Sequence, residues 1–289
     1  LIRLYEANIY PNKLLLSGQK GIGKSTLAFH FMNYILSYEE EYKYNVKRFE
    51  INFESPTFKT ILNKSNPNLI IVDINYDKKF IDINQIRQLI ITLNKSSFNS
   101  KPRFVLIDNI ELLNLNSINA LLKILEEPNY NVHFILINNN KKIPPTLVSR
   151  SINYKISLTN KECIEITKKL LGNELDDLIN KDLINYYFTP GNVYYLVDFA
   201  KKYKYDLLKL DLKSLLKIII KENHYKKDLL IKFMTFQFIE FYFRRLNLSF
   251  SKSINKKYSY FLKRISDTKT FNLDEEILFL EFEEEILNG

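Results

Sequence analysis

The chain has 289 residues, 46% of them apolar, too many for one small core, and two or three domains are expected. Its 42 basic and 33 acidic side chains leave a formal charge of +9, which suits a nucleic-acid partner, although a chain crowded with Lys, Asn, Ile, Tyr and Phe reaches such a charge through composition alone. The single cysteine, Cys163, excludes an internal disulfide and a cysteine-rich zinc site; no apolar run approaches the roughly 18 residues that cross a bilayer, and residues 1–13 lack the apolar stretch of a signal peptide, so a cytoplasmic protein with no membrane partner is expected.

In chain order, Leu14, Leu15 and Leu16 read as a short buried strand, and Leu27, Ala28, Phe31, Met32 and Ile35 recur at helical spacing. Between them lie Gly18, Gln19, Lys20, Gly21, Ile22, Gly23, Lys24, Ser25 and Thr26, which include three of the chain's six glycines. Gly18, four further residues, then Gly23-Lys24-Ser25 is the spacing of a loop whose backbone N–H groups turn inward around a polyphosphate. In that arrangement Lys24 reaches the terminal phosphates and the Ser25 hydroxyl holds Mg²⁺. The loop would sit at a helix N-terminus, where the helix dipole favours an anion. A glycine turn that matches by chance is the alternative, and the strand and helix on either side weigh against it.

Further strands are expected at residues 69–72, 104–107, 134–137 and 152–156. Asp82 with Gln85 forms a capping pattern ahead of Ile86, Leu89, Ile90 and Leu93, which share one helical face. A second helix is expected over residues 117–127, with Ile118, Leu121, Leu122 and Leu125 inward and Pro128 as its stop. Alternation of strand and helix over residues 1–157 predicts an α/β fold, a parallel sheet flanked by helices.

Beyond residue 157 every segment reads as helix. Thr159 with Glu162 opens one that Gly172 ends, and another follows Gly191, so residues 158–204 form a small helical module. Longer amphipathic helices occupy residues 205–289, one of them carrying Phe233, Phe236, Phe238, Phe241, Tyr242 and Phe243; such a stripe reads as packing surface. Basic clusters at residues 201–204 and 252–264 read as solvated helix faces.

A phosphate-binding loop needs an acidic partner at the end of a neighbouring strand to orient Mg²⁺. Asp108, directly after Phe104, Val105, Leu106 and Ile107, occupies that position, with a turn or cap role as its alternative. Asn109 stands where many such ATPases place a second carboxylate against the attacking water; an amide cannot take the proton, so hydrolysis should be slow. Glu111 is either a substitute for that carboxylate or a surface charge. His30, His133 and His224 share no metal-ligand spacing.

The stretch Ile118-Asn119-Ala120-Leu121-Leu122-Lys123-Ile124-Leu125-Glu126-Glu127-Pro128 resembles the Asn-Ala-Leu-Leu-Lys-x-Leu-Glu-Glu-Pro signature of bacterial clamp-loader subunits of the AAA+ type. Pro145-Thr146-Leu147-Val148-Ser149-Arg150-Ser151 is similar to the family's Pro-Thr-x-x-Ser-Arg-Cys segment, with Ser151 replacing cysteine. The likeness covers residues 1–157 well, and the remainder agrees only in being helical. It implies an AAA+ core, a helical lid at 158–204 and a helical collar for oligomerisation at 205–289.

Within the family, the departures resemble those of delta-prime members. Asp108-Asn109 replaces the Asp-Glu pair of tau- and gamma-like ATPases, the cysteine zinc module is missing from residues 37–68, and Asn192 or Tyr194 stands where a lid arginine is expected after Pro190-Gly191. The resemblance gives Arg150 a role in the neighbouring subunit's ATP site, as an arginine finger acting in trans; on sequence alone it would be a surface ion pair. The run Asn138, Asn139, Asn140 at the end of its strand resembles the family's sensor position, with Asn138 the expected sensor residue and a plain exposed amide cluster as the alternative. The implied protein takes ATP or ADP with Mg²⁺ but no zinc, and its own ATPase is weak or absent. Its implied partners are tau/gamma-like ATPases and a delta-like subunit, with the sliding clamp and primer-template DNA reached through the complex and DNA polymerisation residing in another subunit. An active AAA+ motor ATPase is the alternative.

Overall fold

A computed structural model describes residues 1–75, 78, 80–96, 98–126, 131–184, 189–247, 252–271 and 273–288. The chain divides into two compact units, Leu1–Leu158 and Thr159–Gly289. In the first, α1 (Ile2–Glu6) precedes β1 (Lys13–Ser17), α2 (Lys24–Leu36), α3 (Pro56–Leu62), β2 (Leu69–Val72), α4 (Ile83–Leu93) and β3 (Arg103–Ile107). A single 3-10 turn at Ile110–Leu112 leads into α5 (Leu115–Glu126), β4 (Val132–Asn138), α6 (Pro145–Ser149) and β5 (Ile152–Lys155). The strands form one parallel sheet in the order β2-β3-β4-β1-β5.

A parallel strand covered on both faces must be apolar throughout, and its successive side chains enter different layers. Leu15, Val105, Ile107, Phe134 and Leu136 accordingly pack with Ile86 and Leu89 of α4 and with Leu121 and Leu125 of α5. Their sequence neighbours Leu14, Phe104, Leu106, Ile135 and Ile137 pack on the other face with Ala28, Phe31 and Met32 of α2. Each such side chain, fully buried, contributes about 1.5–3 kcal/mol. This fixes the sheet between two helical layers and aligns the carboxyl ends of its strands along one edge. At β5 all side chains are exposed, in keeping with its place at the sheet's margin.

Helix boundaries follow the capping chemistry. Asp82 accepts from the backbone of Asn84 and Gln85 while the Gln85 side chain accepts from the Asp82 N–H, fixing the start of α4. α5 begins at Leu115 and is described to Glu126; Glu127 and Pro128, the end of the signature stretch and the expected stop, lie outside the described residues.

The second unit contains α7 (Asn160–Leu171), 3-10 turns at Leu175–Asp177 and Lys181–Leu183, α8 (Pro190–Tyr203), α9 (Leu212–Lys221), α10 (His224–Lys227), α11 (Leu229–Asn247), α12 (Lys252–Phe271) and α13 (Glu275–Phe282). Thr159 and Glu162 close a reciprocal capping box at α7, and Gly172 ends it at φ 71°. Phe236, Phe238 and Phe243 of the aromatic stripe are buried with Phe279 and Phe282 in an apolar cluster that draws on residues either side of position 204.

Candidate phosphate-binding site

Ligands of parallel sheets bind beyond the carboxyl ends of the strands, and the phosphate loop leaves β1 there. Sheet register sets Ser17 beside Asn138 and Val72 beside Ile107. The Gly18 N–H donates to the Asn138 carbonyl at 3.1 Å, and the Ile156 N–H donates to Ser17 at 2.7 Å, so the loop is tied to the strands on both sides. A Cβ at Gly18 would lie 2.4 Å from the Ile156 carbonyl oxygen, which makes glycine a packing requirement there. Gly21 and Gly23 have φ of 86° and 90°, the left-handed region. Gly23 is also the N-cap of α2 and offers no side-chain cap, so the first N–H groups of α2 point to the loop's concave side. Ile22 is buried, Lys20 half-buried, and Gln19 and Thr26 exposed.

Lys24 is only 4% exposed, and its Nζ donates to the carbonyls of Gly18 at 3.0 Å and Gln19 at 2.6 Å. Burial pushes its ammonium down to about 8, against the opposing pull of Asp108 and Glu111. The Ser25 hydroxyl donates to Asp108 Oδ2 at 2.7 Å. Asp108 is pushed up by burial; the Ser25 bond opposes this and the charge of Asp73 adds to it. Lys24, Ser25 and Asp108 thus lie together at this end of the sheet.

Beside them lies a polar network. Asn109, at φ 55°, donates from Nδ2 to Asp73 Oδ1 at 2.7 Å, and its Oδ1 accepts from Asn139 Nδ2 at 2.8 Å. Asn139 also donates to Glu111, from Nδ2 at 2.9 Å and from its backbone N–H at 3.3 Å. Asn138 takes a different course. Its amide closes on Lys141, donating to the carbonyl at 3.0 Å and accepting from the N–H at 3.1 Å. Its backbone is next to the loop, while Asn139 supplies the amide that faces Asn109. Asp73 is therefore a residue of the candidate site that the sequence does not single out, and within the Asn138-Asn139-Asn140 run it is Asn139, not the expected Asn138, whose amide joins this network. Asp73 carries a signal like that of Asp108, since each directly follows an apolar strand. Glu111 is half-buried within this network, not a free surface charge.

Arg150 is the C-cap residue of α6. Its Nε and Nη2 donate to Glu126 Oε1 at 3.1 and 2.6 Å, and Nη1 donates to the Thr146 carbonyl at 3.2 Å. The side chains are 34% and 52% exposed, an ion pair of the solvent-screened kind. Among the described residues no group of three or more His, Cys, Asp or Glu is arranged to hold a metal by itself, and no helix is long and apolar enough to cross a membrane.

A five-stranded parallel sheet with a glycine phosphate loop after β1 and an aspartate on the loop's serine after β3 defines a P-loop fold. Residues 1–160 match the family described as DNA polymerase III, delta subunit, and the chain belongs to this family of clamp-loader subunits. It is 30% identical over 180 residues to the DNA polymerase III gamma subunit of Buchnera aphidicola subsp. Schizaphis graminum, across 60% of this chain and 46% of the relative. Identity to the delta' subunit from the same organism is 28% over 188 residues, across 62% and 53%. The match thus spans about half the length of these curated relatives. A gamma subunit-related protein of Thermotoga maritima, of known structure, aligns over 97% of this chain and 96% of its own, at 18% identity and a TM-score of 0.48.

Proposed function

We propose that the chain is a delta-prime-like clamp-loader subunit that takes ATP or ADP at residues 18–26 without efficient hydrolysis and supplies Arg150 to the ATP site of an adjacent subunit. The observation that carries this reading is Asn109. Its amide donates to Asp73 and accepts from Asn139, so the position after the strand-end aspartate holds a group that cannot accept a proton from water. The cradle itself fits a polyphosphate: a buried lysine bonded only to carbonyls, glycines in the left-handed region and an uncapped helix start. Ser25 and Asp108 would hold Mg²⁺, whose remaining ligands would be phosphate oxygens and water, as is usual for this ion. The bound metal and nucleotide would supply charge neutralisation at the phosphates. Lys24 would have to leave its two carbonyls to meet the anion.

In this reading residues 158–204 act as lid and 205–289 as collar. Tau/gamma-like ATPases and a delta-like subunit are the direct partners, and the sliding clamp and primer-template DNA are reached through the complex. A second reading, an active motor, draws support from the intact loop and from Glu111, a carboxylate that Asn139 holds near Lys24. Two measurements separate them. The purified chain should bind ATP with little turnover, and DNA-stimulated hydrolysis abolished by Lys24→Ala would refute the first reading. In a complex reconstituted with the ATPase subunits, Arg150→Ala should depress hydrolysis while Lys24→Ala has a mild effect; the reverse pattern would establish the motor.

A further inference from the structure

We infer that Glu126 is a positioning residue that braces the Arg150 guanidinium for its task in a neighbouring ATP site; the inference rests on the trans role proposed for Arg150. A guanidinium has five N–H donors in a planar fork. One edge is taken by Glu126 Oε1, which accepts from both Nε and Nη2, and one further N–H goes from Nη1 to the Thr146 carbonyl. One N–H on each of Nη1 and Nη2 keeps no partner among the described residues. The side chain is therefore held along its flank and through Nη1 while one N–H on each terminal nitrogen stays available to an anion.

The supports of this brace are anchored in the core. Glu126 ends the described part of α5, whose Leu121 and Leu125 are fully buried; Arg150 directly follows α6, whose Leu147 is fully buried in the same apolar cluster. Both ends of the ion pair thus stand on backbone that packing fixes. An unbraced arginine samples many rotamers, and ordering it costs up to about 2 kcal/mol of side-chain entropy. Catalysis by a trans arginine depends on its being in place as charge develops on the transferred phosphoryl group. The pair is also solvent-screened, so the carboxylate can orient the arginine without firmly retaining it. Glu126 belongs to one signature stretch and Arg150 to the other, 24 residues apart in sequence, and this contact joins the two.

The test uses a complex of the full chain with its ATPase subunits, the latter carrying alanine at their own matching arginines so that Arg150 is the trans arginine under study. Steady-state ATP hydrolysis, measured on complexes shown intact by size-exclusion chromatography, should show a kcat about tenfold lower for Glu126→Ala with KM within twofold, a split that a loss of nucleotide affinity would not produce. Glu126→Gln, whose amide oxygen accepts the same two N–H groups, should restore kcat to within about threefold of the parent. Arg150→Ala should cost more than Glu126→Ala, and the double variant should be no slower than Arg150→Ala alone. An unchanged or raised kcat for Glu126→Ala beside a large loss for Arg150→Ala would overturn the brace and leave the trans role standing. No loss for Arg150→Ala would overturn the trans role itself, and the brace with it.

Discussion

Gly18→Ala tests whether the phosphate loop is held by contact or only by conformation. The backbone at Gly18 is outside the left-handed region, so a methyl group meets no intrinsic torsional penalty there. It meets atoms instead: the Ile156 carbonyl oxygen at 2.4 Å and Ile22 Cδ1 at 2.6 Å. Ordinary contact needs about 3.5 Å, so both overlaps exceed about 0.9 Å. The Ile22 side chain can rotate away. The Ile156 carbonyl cannot move alone, because the same residue donates to Ser17 at 2.7 Å and continues the β1–β5 pairing. Relief requires that pairing to open at its end, which adds about 1 kcal/mol for the hydrogen bond to about 1–3 kcal/mol for overpacking. A loss of about 2–4 kcal/mol is expected. Gly23→Ala provides the contrast: φ is 90° but no atom lies within 4 Å, so only left-handed strain of about 1–2 kcal/mol applies. The chain has no tryptophan, so urea unfolding is followed by circular dichroism. With a slope near 2 kcal/mol per molar urea, the midpoint should fall by about 1–2 M for Gly18→Ala and by about half that for Gly23→Ala. A Gly18→Ala midpoint at or above that of Gly23→Ala would refute the close approach as the reason for glycine.

Lys24 gives a pH prediction. Its folded-state ammonium lies at about 8, below the ordinary 10.5, so the unfolded chain binds more protons between these values and this group's contribution to stability rises with pH across that window. An anion in the loop favours the charged form, so ATP affinity should fall as pH rises from 7 to 9, and Lys24→Met should remove most of the dependence; titration with a fluorescent nucleotide checks both, and a flat wild-type profile would contradict the assignment. Asn109→Asp puts a carboxylate 2.7 Å from Asp73 Oδ1, where two negative charges cannot both persist. One pKa of the pair must rise, so the penalty is absent at low pH and appears as pH rises through that raised value; a loss of about 2 kcal/mol at pH 8, smaller at pH 5, and its relief in Asp73→Asn/Asn109→Asp are expected in thermal unfolding. Leu147→Ala empties a fully buried site in the cluster that carries α5 and α6 and should cost about 2–5 kcal/mol.

The sheet is legible in the sequence because its central strands are covered on both faces, which forces the continuous apolar runs at Leu14–Leu16 and Phe104–Ile107. The helices α4 and α7 are legible because their capping boxes use side chains whose partners are fixed by spacing alone. Short helices escape this logic: α3 and α6 are too brief to show a period, and the prolines that start them are equally turn signals.

At the site, the same division applies. Gly18 through Ser25 and Asp108 are set by local geometry, and local geometry can be read in order along the chain. Asp73 ends an apolar strand as Asp108 does, yet only the pairing of β2 with β3 makes it Asn109's partner, and strand order is not written in any one segment. The Asn138-Asn139-Asn140 run shows the limit most sharply, since three identical side chains carry no distinguishing pattern. Backbone geometry distinguishes them. Asn138 is still in register with Ser17 and spends its amide closing the turn onto Lys141, while Asn140 turns left-handed at φ 57°. Asn139, between a residue committed to the strand and one committed to the turn, is the residue of the three whose amide reaches Asn109 and Glu111.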